Sequence, residues 1–67
     1  MTLQDGDRVL HWAHGEGTVL RAEPEFDEVP WEWRHDWDSV VLAAFIWKGR
    51  VNHVWVVRED LDLLEEE

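Results

Sequence analysis

The chain has 67 residues, 16 acidic against 6 basic for a formal net charge of -10, with 45% apolar residues and no cysteine. This length allows one domain spanning 1–67, and the missing cysteines exclude a disulfide framework and thiolate metal sites, so packing has to hold the fold. The longest apolar run, Val40 to Trp47 at 8 residues, is far short of the ~20 that cross a bilayer; without a signal-peptide pattern, and with a charge that opposes phosphate binding, the expectation is a soluble, cytoplasmic protein with no membrane partner and no direct nucleic-acid contact.

In chain order, Gly6-Asp7 leads into Val9-Leu10-His11-Trp12, and Gly15 and Gly17 bracket a turn before Thr18-Val19-Leu20. β-Branched residues on both sides of that turn predict a first hairpin. The glycines are not a phosphate-cradling loop, because no lysine and no helix follow them.

From Ala22 to Asp38 the composition changes. Seven carboxylates alternate with Phe26, Trp31, Trp33 and Trp37, punctuated by Pro24 and Pro30. No strand or helix period holds throughout, which predicts a long loop. Such a loop in a small domain is functional or disordered, and this one is too rich in tryptophan for simple disorder. Because Trp33 and Trp37 are four apart, one helical turn from about Trp31 to Trp37 would place them on one side.

Ser39 to Trp47 and Val51 to Val57 read as strands joined by a two-residue turn at Lys48-Gly49, with glycine supplying a positive φ. Pairing Trp47 with Arg50 sets the register. Phe45, Ala43 and Val41 then share one face with Asn52, Val54 and Val56, while Ile46, Ala44, Leu42 and Val40 share the other with Val51, His53, Trp55 and Val57. Both faces are apolar, so the one away from the core either wraps round or meets a partner. Arg58 to Leu64 predicts one turn and a last short strand, followed by a solvated acidic end of three glutamates. No repeat or linker is present.

Five short strands suggest an all-β, SH3-like (Tudor-like) barrel with the long acidic, Trp-rich loop between strands 2 and 3. Gly6-Asp7-Arg8-Val9-Leu10-His11 and Gly15-Glu16-Gly17-Thr18-Val19-Leu20 resemble the Tudor-like domain at the C-terminus of superfamily 1 DNA-repair helicases. The likeness to the RNA polymerase-interacting domain of CarD-type transcription factors is looser. The resemblance implies a protein-binding barrel, with the β subunit of bacterial RNA polymerase among the family's partners, and brings no catalytic residue. The segment from Glu23 to Asp38 has no counterpart in that pattern.

Six tryptophans and two phenylalanines are more than so small a core encloses, since each large ring buries ~150–250 Å². Some are therefore exposed, as at interaction sites. Trp31, Trp33 and Trp37, interleaved with Glu32, Asp36 and Asp38, form the candidate partner-binding surface, in which indole faces and carboxylates take arginine or lysine side chains. Trp33 and Trp37 are the expected anchors and Trp31 a flanking contact. The competing readings are a lid over the barrel's open end and a methylammonium cage. His11 and His14 are three apart but, on a strand and a turn, do not converge as metal ligands need to. A neutral, hydrogen-bonded His11 is expected, with no metal or other cofactor. Ser39, Thr2 and Thr18 are the only hydroxyl residues, and no carboxylate pair stands out, so no enzyme activity is expected.

The reading is a protein-protein interaction module docking on a larger basic protein, RNA polymerase or another nucleic-acid-processing machine. Two alternatives stand beside it. One is an acidic, phage-type inhibitor or DNA mimic; the other is a homo-oligomeric subunit, a homodimer included, assembled through the second face of the Val40 to Val57 ribbon.

Overall fold

The computed structural model describes residues 3–64. Five antiparallel strands, β1 (Arg8–His11), β2 (Gly15–Arg21), β3 (Val40–Trp47), β4 (Arg50–Val57) and β5 (Leu61–Leu63), form one sheet in the order β4-β3-β2-β1-β5. The first four make a meander. A 3₁₀ turn at Arg58–Asp60 then redirects the chain so that β5 pairs with β1, Val9 opposite Leu63 and His11 opposite Leu61. Glu65–Glu67, the expected acidic end, lie outside the described residues.

The β3–β4 register is the one the turn chemistry predicts, from Val40 opposite Val57 to Trp47 opposite Arg50. Both residues of the connecting turn, not glycine alone, have positive φ, at 51° for Lys48 and 76° for Gly49. That is the twist a two-residue hairpin needs.

The first hairpin differs in detail. Its turn is Trp12–His14, with Gly15 at φ 80° opening β2 and paired with His11, whereas Gly17 lies inside the strand. Gly17 is set by packing. A Cβ there would fall 2.5 Å from the Phe45 ring and 2.7 Å from the Ala44 carbonyl oxygen, so the buried phenylalanine occupies the space a side chain would take. Between Val19 and Arg21 the β2–β3 register slips by one residue, a bulge at Leu20 that bends β2 where the sheet ends.

The core gathers Leu3, Val9, Val19, Ala22, Val41, Ala43, Phe45, Val56 and Leu61. Most come from one face of each strand, as period-2 alternation requires. The second face of the ribbon is not uniform. Val40 is fully buried, Leu42 and Ala44 are half-buried, and Ile46 is exposed. This face is covered at the end where β3 begins and bare at the hairpin tip. No helix among the described residues is long and apolar enough to cross a membrane.

Candidate interaction surfaces

Residues 22–39 link β2 to β3 and carry two 3₁₀ helices, Phe26–Glu28 and Trp31–Asp36. Local chemistry explains both. At the first, the Glu25 and Glu28 side chains and backbones form a reciprocal capping box. Arg21 donates to the Glu28 carboxylate, which with the Glu25 backbone bond holds the Glu28 carboxyl below its ordinary range. Pro30 opens the second, and its carbonyl accepts from the Trp33 N–H at 2.9 Å. The Val29 carbonyl accepts from Arg34 Nε at 3.0 Å.

The 3₁₀ form changes how the tryptophans are displayed. At three residues per turn, positions 31, 34 and 37 fall in line while Trp33 and Trp37 point to different sides. The expected stacking of Trp33 and Trp37, which assumed α-helical spacing, is therefore replaced. Trp31 is 82% exposed and Trp37 41%, while Trp33 is half-buried. Phe26 meets Trp37 edge to face, centroids 6.2 Å apart, and the Arg34 guanidinium lies 5.2 Å from the Phe26 centroid. Arg34 thus fills the Phe26 face from within the chain, leaving Trp31 as the open indole. Glu32, Asp36 and Asp38 are all exposed. His35 Nε2 is 3.2 Å from an Asp36 carboxylate oxygen.

Both ends of this connection are fastened to turns that flank the sheet, at Asp5 before β1 and at Arg58 after β4. The Ala22 N–H donates to Asp5 Oδ1 at 2.7 Å, and the Ala22 carbonyl accepts from the Arg58 guanidinium at 2.9 Å. The Arg58 N–H also donates to the Ser39 carbonyl at 2.7 Å. The tryptophans therefore sit on a clamped segment.

A second surface lies at the β3–β4 tip, where the second face of the ribbon, read from the sequence as one that wraps round or meets a partner, is bare, and to which the structure adds Trp47 and Trp12. Ile46 and Val51 are cross-strand partners and are 68% and 62% exposed. Trp47, on the other face, is 66% exposed, with Lys48 Nζ 5.8 Å from its ring. Trp47 and His14 together border two recesses, one lined by Phe45, Asn52, His53 and Val54, the other by Glu16, Ala44, Ile46 and Val51. Trp12, on the neighbouring turn, is also exposed. The available signal was the absence of any carboxylate from Ser39 to Arg58, a stretch containing Lys48, Arg50 and Arg58.

His11 is buried in β1, where its Nδ1 accepts N–H bonds from Ala13 at 3.0 Å and His14 at 3.3 Å. It acts as a structural acceptor for the first turn. No cluster of three or more potential metal ligands occurs among the described residues.

No family model, curated protein or solved structure matches the chain.

Proposed function

We propose that the chain is a non-catalytic protein-recognition module with an SH3-like sheet, whose 22–39 connection docks on a basic surface of a larger protein. The observation that carries this reading is Trp31, an indole 82% exposed on a segment clamped at both ends. A solvent-facing tryptophan on a backbone tied at both ends is the residue type that dominates interface energies, with less backbone order left to acquire on binding. Trp37 adds a second partly open ring, and Glu32, Asp36 and Asp38 supply carboxylates for arginine or lysine on the partner. The meander, and the return of β5 to β1 after a 3₁₀ turn, support the SH3-like reading of the fold. RNA polymerase or another nucleic-acid machine is the partner class the first-hairpin resemblance suggests.

Affinity capture with the wild-type chain and a Trp31→Ala, Trp37→Ala variant, washed at low and at moderate salt, tests the proposal. A specific protein held by the wild type through the moderate-salt wash, and lost from a variant whose thermal unfolding is unchanged, is the expected result, with each truncation costing about 2 kcal/mol or more. If both versions bring down many nucleic-acid-binding proteins that all leave at moderate salt, the acidic charge alone acts, as in the DNA-mimic alternative.

A further inference from the structure

The surface proposed to grip a basic, apolar partner has its chemical complement elsewhere on the same molecule. Between Ala22 and Asp38 there are seven carboxylates, and the single basic residue, Arg34, is half-buried and committed to Phe26 and the Val29 carbonyl. The β3–β4 tip has the reverse character. Lys48 and Arg50 are exposed beside Ile46, Trp47 and Val51, with no carboxylate from Ser39 to Arg58; the one carboxylate bordering the recess there, Glu16 of β2, is paired with Arg8. One surface is acidic and aromatic, the other cationic and apolar.

The connection joins the sheet at the end of β3 away from the tip. The connection enters β3 at Val40 and the tip lies beyond Trp47, a strand length of about 23 Å at ~3.3 Å per residue. That is more than twice the Debye length of ~8 Å at physiological salt. Both surfaces are exposed. Pairing of like surfaces is disfavoured at either place. Connection against connection opposes two acidic segments in which, of seven carboxylates, Glu28 is paired with Arg21, and tip against tip opposes two sets of Lys48 and Arg50.

We infer that the chain associates head to tail, the cationic Ile46, Trp47, Lys48, Arg50 and Val51 tip of one copy seated on the Trp31, Glu32 and Trp37 surface of the next. This rests on the docking reading above and names a second copy as an occupant of that surface. Such an interface joins two different surfaces, so two copies either engage both reciprocally across a two-fold axis and stop at a dimer, or leave one tip and one connection unused and continue into a larger ring or an open chain.

Sedimentation velocity on the full chain over a wide concentration range tests this, with two variants. Lys48→Glu, Arg50→Glu disables the tip, and Trp31→Ala, Trp37→Ala disables the connection. The wild type is expected to show a sedimentation coefficient that rises with concentration and falls with added salt. Each variant alone is expected to stay monomeric, with association weakened about tenfold or more. A mixture of the two is expected to form a dimer and nothing larger, since it holds one intact tip and one intact connection per pair. Should either variant fail to fold by circular dichroism, Lys48→Gln, Arg50→Gln or Glu32→Gln, Asp36→Asn, Asp38→Asn replaces it with the same expectation. A wild type that is monomeric throughout overturns the inference while leaving the docking proposal to its capture experiment. Oligomers that persist in both variants, or variants that fail to complement each other, overturn it in favour of pairing of like surfaces or a different surface.

Discussion

His11 shows how a single buried polar side chain ties stability to pH. Its Nδ1 accepts from two backbone N–H groups of the Trp12–His14 turn, so the imidazole is neutral at that nitrogen. Burial, and then the neighbouring His14, push its pKa below the ordinary 6.5, with Asp60 opposing them. The sign follows directly. A group whose folded pKa is depressed contributes stability that is complete above its unfolded value and is lost as pH falls through the folded one. The urea midpoint is therefore expected to hold steady above about pH 6.5 and to decline below it, before most carboxylates titrate. His11→Asn keeps an acceptor oxygen for the turn but cannot take up the proton, so its profile is expected to be flatter. Parallel slopes in the two proteins would assign the titration to another group.

At the scale of elements, Arg58 decides whether the Trp-bearing connection is a fixed surface or a loose one. Its guanidinium bonds the carbonyl at the start of the connection and its N–H bonds the carbonyl at the end. Arg58→Met keeps much of the aliphatic packing and the backbone bond but leaves the carbonyl of buried Ala22 without its charged donor. The expected cost is about 1.5–3 kcal/mol in urea unfolding, with faster proteolysis within 22–39. An unchanged unfolding midpoint would mean that water replaces the guanidinium at no cost. No spacing rule exposes this clamp, because its partners are 36 residues apart. The β3–β4 pairing was legible for the opposite reason, since Lys48-Gly49 and the alternation around it fix the register locally. The tryptophan surface lay between these cases. Composition required that some tryptophans be exposed but not which, and Trp31 was read only as a flanking contact; the 3₁₀ form that turns Trp33 away from Trp37 depends on Pro30 and on the Arg34 bond to Val29, which sequence periodicity does not reveal.

Charge acts on the whole molecule through its distribution as well as its sum. All 16 acidic residues lie outside 39–58, a stretch that holds three of the 6 basic ones. The rest of the chain therefore repels itself when compact, and exposed ion pairs such as Arg8 with Glu16 and Arg21 with Glu28 offset little of that because solvent screens them. Screening should then have opposite effects on folding and assembly. As the Debye length shrinks from ~30 Å at 0.01 M salt to ~8 Å at 0.15 M, self-repulsion fades and the thermal midpoint of the dilute monomer is expected to rise. Over the same range the attraction between the cationic tip and the acidic connection fades too, so the sedimentation coefficient of a concentrated sample is expected to fall. Paired measurements across one sodium chloride series separate the two effects. A midpoint that stays flat or falls would show that local ion pairs outweigh the net charge, and a sedimentation coefficient that rises with salt would mean that repulsion between two copies of net charge -10 outweighs the attraction of tip for connection.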